Sequence, residues 1–128
     1  MWIVTYEPTT RALTLRLRDH VGAAEARQLA DAQIEAIEAT AGTPFKVLLD
    51  LRWTQALDSD AVGTLSDLKL AAAASAGFRG LVVLVDSATI AMQQKRTSIL
   101  EAHPAAKELV TIDPDEATRA LDAVSTAE

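Results

Sequence analysis

Three apolar runs, each followed by a segment with helical spacing, constrain the fold of this chain more than any other feature. They read FKVLLDL (45–51), GLVVLVD (80–86) and LVTI (109–112). Apolar runs without alternation are typical of strands that helices cover on both faces, as in a parallel sheet. Strands that alternate with helices through short connections therefore predict an α/β fold.

The segment before these runs predicts a β-hairpin and a first helix. Residues 2–6 and 13–18 alternate apolar and polar side chains on either side of the turn-forming residues EPTTR, which is the pattern of two strands with one buried face. Residues 22–40 then switch to helical spacing, and Gly42 and Pro44 end that helix. Its apolar stripe consists of Ala26, Leu29, Ala30, Ile34 and Ile37.

Three more helices follow the apolar runs. The spacing predicts one over 61–76, one that is capped by Ser87 and runs to about residue 102, and one that opens at Asp113. The residues that we expect to face inward are Leu65, Leu68 and Ala72 in the first, and Ala117, Leu121 and Val124 in the last. We therefore predict one domain over 1–128, with a mixed, mostly parallel sheet, an N-terminal β-hairpin and about four helices.

Composition and charge narrow the function. The net charge of −6 repels a phosphate backbone or an anionic bilayer, so we expect no nucleic-acid partner. Every apolar run is far shorter than the roughly 20 residues of a spanning helix, and MWIVTYEP does not resemble a secretion signal. The absence of cysteine excludes disulfides, a thiolate nucleophile and cysteine-based zinc sites. These features predict a soluble, cytoplasmic protein without membrane insertion.

The sequence contains no recognisable catalytic set, cofactor motif or metal site. His20 and His103 lie far apart and outside any metal-ligand pattern, and the nucleophile elbow, Walker and dinucleotide-binding motifs are missing. Asp50 ends an apolar strand, as the nucleophile of haloacid dehalogenase-type enzymes does, but Arg52 stands where that motif has its second acid. A magnesium ion at Asp50 would lack its usual second carboxylate. We therefore predict a non-enzymatic protein without cofactors, with phosphoryl chemistry at Asp50 as a minor alternative.

The run Asp58-Ser59-Asp60 follows the central apolar strand. Serine and aspartate are preferred helix caps, and acids in a first turn offset the helix dipole, so we expect Asp58 to cap the next helix. Ligands of open α/β sheets bind where strands end and helices begin, so these residues are also candidates for binding. We expect Arg52 and Trp53 on an exposed loop beside them, where both residue types are typical of binding hot spots. The alternative for Trp53 is a lid folded over the core.

The stretch LLDLRWTQALDSDAVGTL, followed by a helix and GLVVLV, resembles the STAS domain, the module of anti-sigma-factor antagonists and sulphate-transporter tails. That family reads approximately as an apolar strand, D-L-s-x-v-x-x-x-D-S-S-G-L-G-x-L, a helix and a strand. The hairpin and the first and last helices fall in the family's order, so the resemblance covers nearly the whole chain. Residues 65–94 also resemble the divergent STAS-like branch grouped with Sec14-type lipid-binding domains. The matching motif residues are Asp50, Leu51, Asp58, Ser59, Gly63 and Leu65.

The resemblance also marks one departure. In regulatory STAS proteins the second serine of D-S-S-G is phosphorylated by a partner kinase, and that position is Asp60 in this chain, followed by Ala61. A carboxylate carries one charge against the roughly 1.5–2 of a phosphate, so Asp60 imitates the modified state only in part. Ser59 is the neighbouring candidate phosphoacceptor.

The resemblance implies a bacterial regulatory domain that acts by protein–protein contact, with a kinase or an anti-sigma-like protein as its partner. Both a monomer and a homodimer are compatible with the sequence. The alternative is a small-molecule or lipid-binding STAS/Sec14-like domain, in which the small side chains of LKLAAAASAG border an apolar cavity. The predicted contact and switch residues are Asp58, Ser59, Asp60, Arg52 and Trp53.

Overall fold

The computed structural model describes residues 1–55 and 57–127, which form one five-stranded sheet and four helices. The elements are β1 (Trp2–Glu7), β2 (Ala12–Asp19), α1 (Ala23–Ala39), β3 (Phe45–Thr54), α2 (Ser59–Ala73), β4 (Phe78–Leu84), α3 (Ala88–Arg96), β5 (Glu108–Thr111) and α4 (Pro114–Ala123). The strands lie side by side in chain order, with β1 antiparallel to β2 and the other neighbours parallel. The predicted fold class is confirmed.

The main core lies between one face of the sheet and helices α1, α2 and α3. Alternate residues of β2 and β3 point into it, since Leu13 pairs with Val47 and Leu15 with Leu49, and all four are buried. This is the period-two pattern that the sequence shows in β2. Helix α2 contributes Leu65 and Leu68 to the same core.

The opposite face of the sheet is covered by α4. A second, smaller cluster joins Val82 and Leu84 of β4 to Ala117 of α4. Because α4 packs on β3, β4 and β5, this face stays largely open on β1 and β2, where Ile3 is 41% exposed. None of the helices within residues 1–55 and 57–127 has the length and apolar character needed to cross a bilayer.

Helix α1 differs from its predicted stripe at one position. Ile34 is 44% exposed, whereas its neighbour Gln33 is fully buried, so the prediction that Ile34 faces the core is wrong. Gln33 Nε2 donates a hydrogen bond to the Leu68 carbonyl of α2 at 2.9 Å. That hydrogen bond stabilises a polar side chain between two closely packed helices, a position that hydropathy alone assigns to an apolar residue.

Helix α3 ends at Arg96, and the prediction that it continues to about residue 102 is wrong. Thr97 forms the C-cap, and its hydroxyl donates to the carbonyls of Gln93 and Gln94. The chain beyond it is irregular and buries Ile99 completely. Ile99 N donates to Glu108 Oε2 at 3.3 Å, so a tertiary contact satisfies a backbone group that a longer helix would satisfy internally.

Candidate functional site

The residues Asp58-Ser59-Asp60 form the start of α2. Asp58 is the N-cap, its Oδ1 accepts a hydrogen bond from Ala61 N at 2.8 Å, and its carbonyl accepts from Val62 N at 3.0 Å. The predicted capping role of Asp58 is therefore confirmed. All three side chains of the run are exposed, so the same geometry that begins the helix presents two carboxylates and a hydroxyl at the surface.

The hydroxyl of Ser59 is free to react or bind. Within the described part of the chain it makes no hydrogen bond, whereas the nearby Thr64 hydroxyl donates to the Asp60 carbonyl at 3.0 Å. Ser59 is the first residue of α2, where the backbone N–H groups of the first turn have no helical partners. The negative charges of Asp58 and Asp60 flank it.

Arg52 and Trp53 belong to β3, and the prediction that they lie on a loop is wrong. Arg16 pairs with Asp50 and Arg18 with Trp53, so β3 carries one extra residue between these two pairs. A bulge of this kind bends a strand and redirects side chains. Sequence reasoning ended the strand with its apolar run, although aromatic and β-branched residues such as Trp53 and Thr54 are favoured in strands.

Trp53 lies on the surface between two guanidinium groups. The Cζ atom of Arg52 is 4.3 Å from the ring centroid and that of Arg18 is 4.9 Å from it, which are cation–π distances. The side chain is 46% exposed, so the alternative that it forms a lid over the core is wrong. Two arginine side chains therefore pack against an exposed indole.

Asp50 is fully buried beneath this arginine and tryptophan group. Its Oδ1 accepts hydrogen bonds from Arg52 N at 3.2 Å and Nε at 3.1 Å, and its Oδ2 accepts from Arg52 Nη2 at 2.9 Å. Burial disfavours the charged carboxylate, but the hydrogen bonds of Arg52 and the charges of Arg52 and Arg16 outweigh burial and lower the pKa of Asp50. Both oxygens of Asp50 are therefore engaged in holding Arg52, which leaves neither oriented as a nucleophile.

Sequence reasoning missed a buried cation in the last two turns of α2. Lys69 is fully buried, and its Nζ donates to the Gln94 carbonyl at 3.1 Å and to Gln94 Oε1 at 3.2 Å. Glu108 Oε2 lies 3.6 Å from the same nitrogen. Burial lowers the pKa of Lys69, and the Glu108 carboxylate opposes that change only in part. The available signal was spacing, because Lys69 falls four residues after Leu65 on the inward stripe.

A groove of about 400 Å³ separates the start of α2 from α3. Ser59, Val62 and Gly63 line one side, and Gln93 and Arg96 line the other. The buried Lys69 also links α2 to α3, through its hydrogen bonds to Gln94. Within residues 1–55 and 57–127, no three histidine or acidic side chains come close enough together to hold a metal ion.

No protein-family model and no curated protein matches this sequence. Its structure is similar to an anti-sigma factor antagonist from Mycobacterium paratuberculosis, with 16% identity over 94% of this chain and 92% of that one, and a TM-score of 0.64. It is also similar to an uncharacterised DUF3478-family protein with a SpoIIAA-like fold from Shewanella loihica PV-4, with 17% identity, the same coverage and a TM-score of 0.59. The chain therefore has the STAS-like, SpoIIAA-like fold that its motif predicts.

Proposed function

We propose that this chain is a non-enzymatic regulatory domain of the bacterial cytoplasm, which binds a kinase or an anti-sigma-like protein. The binding region, called here the α2 surface, comprises Asp58, Ser59, Asp60, Arg52 and Trp53. The observation that carries the proposal is the exposed Asp58-Ser59-Asp60 cap of α2, in a fold shared with an anti-sigma factor antagonist. No catalytic constellation competes with this assignment in the described residues.

The exposed indole supports a role in protein contact. Arginine and tryptophan are both enriched at binding hot spots. Such a side chain loses little conformational entropy on binding when it is already fixed in the free protein. Trp53 meets that condition because Arg18 and Arg52 lie against its ring. We propose that Trp53 is the apolar anchor for the partner protein.

By the resemblance to regulatory STAS proteins, Asp60 gives the α2 surface a permanent charge where those proteins carry a reversible one. It lies exposed in the first turn of α2, where a negative charge is stabilised by the helix dipole. We propose that this chain stays in a state partly equivalent to the modified one, and that Ser59 is the remaining phosphoacceptor. A phosphate on Ser59 would be attracted by the helix N-terminus and repelled by Asp58 and Asp60, so its effect on partner binding would be graded.

The matched pair Asp60→Arg and Asp115→Arg tests the α2 surface. Each aspartate is exposed and lies two residues after an aspartate cap, Asp58 in α2 and Asp113 in α4, so both variants change the charge identically at equivalent helix positions. We expect co-purification from native lysate to lose its specific partners with Asp60→Arg and to keep them with Asp115→Arg. Equal partner yields for the two variants would show that the α2 surface is not the site.

A second candidate function, small-molecule or lipid binding, is favoured by a groove between α1 and α2. It has a volume of about 440 Å³, and its lining includes Ala30, Ile34, Leu68 and Ala71. Native mass spectrometry of freshly purified protein would reveal a retained ligand as an added mass. We expect Ala71→Trp to remove that mass by filling the groove, and a wild-type protein without any added mass would count against this candidate.

A further inference from the structure

Arg16 is a half-buried arginine whose donors are not used by the described part of the chain. Its side chain is 43% exposed, but its Nε is buried and donates no hydrogen bond. The nearest acceptor is Asp50 Oδ2, which lies 3.3 Å from Nε as an ion pair without hydrogen-bond geometry. A buried N–H group without an acceptor is unfavourable, so the position of Arg16 needs another explanation.

Asp50 does not need Arg16 in order to be satisfied. Arg52 alone provides three hydrogen bonds to it, at 2.9, 3.1 and 3.2 Å. The bidentate geometry of that pair is the strong form of an arginine–carboxylate contact. The second guanidinium is therefore in excess of what the buried carboxylate requires.

Both guanidinium groups line a cavity between the sheet and α4. The cavity has a volume of about 210 Å³ and includes Leu48 and Leu84 on the sheet and Pro114 and Thr118 on α4. Arg52 donates to Asp50 through Nε and Nη2. Its Nη1 and the terminal nitrogens of Arg16 make no hydrogen bond within residues 1–55 and 57–127. This volume is sufficient for a single small oxyanion.

We propose that this cavity binds the oxyanion group of a small molecule, a carboxylate or a phosphate, through Arg16 and Arg52. Asp50 positions the site by fixing Arg52, and Arg16 supplies the donors that have no acceptor in the chain. Planar guanidinium groups bind such anions with two parallel hydrogen bonds. This site shares Arg52 with the α2 surface, but it lies on the face of the sheet opposite to α2 and needs neither the Asp58 cap nor a protein partner.

Two nearby carboxylates oppose anion binding and limit its strength. Asp122 lines the cavity and is exposed, and the charge of Asp86 acts on Arg52. Neither forms an ion pair with Arg16 or Arg52 in the described residues. We therefore expect Asp122→Asn to tighten anion binding by about two- to threefold, since it removes a repulsive charge at a solvated edge.

The test follows the arginine Nε–Hε signals of isotope-labelled protein by NMR during titration with sodium phosphate and, separately, sodium acetate, at constant ionic strength. We expect saturable shifts of the Arg16 and Arg52 signals with at least one of these probes. Arg16→Gln is expected to weaken binding about tenfold or more, because it removes charge-assisted hydrogen bonds. The charge-matched control Arg79→Gln, at an exposed position of β4 outside the cavity, should leave the affinity within about twofold of wild type.

A lipid headgroup presents the same chemistry, so a second arm measures flotation with phosphatidylcholine vesicles that contain phosphatidic acid. Binding of the vesicles that Arg16→Gln abolishes, without binding of the free anions, would assign the site to headgroups. Thermal unfolding of Arg16→Gln should show only a small loss of stability, because Arg52 still donates its hydrogen bonds to Asp50. The proposal is overturned if neither free anions nor vesicles bind, or if Arg16→Gln and Arg79→Gln weaken binding equally.

Discussion

Replacing Lys69 with methionine tests whether one buried cation holds α2, α3 and β5 together. Methionine keeps an unbranched apolar side chain, one atom shorter than that of lysine, but removes the charge and the donors. Glu108, whose side chain is almost fully buried, then loses its nearest cation. Gln94 Oε1 loses its donor, and the Gln94 carbonyl keeps only the hydroxyl of Thr97. Helix α3 therefore loses its polar attachment to α2.

The expected loss of stability follows from the burial of both partners. Removing one member of a buried ion pair costs about 3–5 kcal/mol, because the other charge stays buried and unpaired. Burying the methionine side chain offsets part of that, by roughly 1 kcal/mol. We therefore expect a net loss of about 2–4 kcal/mol in the free energy of unfolding, which is a large fraction of the ~5–15 kcal/mol of an ordinary domain.

Urea unfolding followed by circular dichroism measures this loss. Lys95→Met is the matched control, since Lys95 lies exposed on α3, and a surface substitution of this kind changes stability by less than about 0.5 kcal/mol. The double variant Lys69→Met with Glu108→Gln should recover most of the loss, because it leaves no unpaired charge and keeps an acceptor for Ile99 N. A Lys69→Met protein as stable as the Lys95→Met protein, or a double variant without recovery, would refute the reasoning.

The same residue predicts how stability depends on pH. Burial lowers the pKa of Lys69 below its ordinary value of 10.5, so between the lowered value and 10.5 the unfolded chain binds more protons than the folded one. Stability should therefore rise with pH across that interval, relative to a Lys69→Met, Glu108→Gln reference that lacks both groups. A fall in relative stability across the same interval would contradict the assigned direction.

Three further substitutions test other parts of the structure. Asp50→Asn should lower the free energy of unfolding by about 2–4 kcal/mol at neutral pH. Because the pKa of Asp50 is lowered in the folded protein, this contribution is present above pH 3.8 and is lost as the pH falls through the lowered pKa. The wild type and the variant should therefore have converging stabilities in urea unfolding at acidic pH. Asp58→Ala should lose about 1 kcal/mol through removal of the α2 cap, measured by thermal unfolding, and an unchanged midpoint would argue against the cap. Gly77→Ala should be strongly destabilising in the same assay, because an added Cβ would overlap the Thr43 carbonyl oxygen; a near-neutral result would mean that the backbone at Thr43 can move.

The fold was largely predictable because its signals are local. The fold could be predicted from the apolar runs of β3, β4 and β5 and from the alternation in β2. Each of these patterns is visible in a short window of sequence. The Asp58 cap is equally local, since its hydrogen bond spans only three residues, to Ala61. Such features depend on the chain's own neighbours and are already specified before any element packs against another.

The errors came from contacts between residues distant in sequence. Gln33 is buried because the Leu68 carbonyl accepts its hydrogen bond, and that placement leaves Ile34 at the surface. Helix α3 stops early, where the buried Ile99 makes its backbone contact with Glu108. Hydropathy ranks a residue by the free energy of its transfer from water. It carries no information about the hydrogen-bond partner that the residue finds in the folded protein.

The candidate site shows the same division. The sequence by itself determined that an acidic cap would open α2 after a buried strand, because hydrogen bonding and helix dipoles act within one turn. Only the tertiary structure decided that Trp53 lies between Arg18 and Arg52, that Asp50 accepts hydrogen bonds from Arg52, and that Arg16 has donors without an acceptor in the described residues. Those arrangements depend on the pairing register of β2 with β3 and on the bulge within it, and register is set by the packing of the whole sheet.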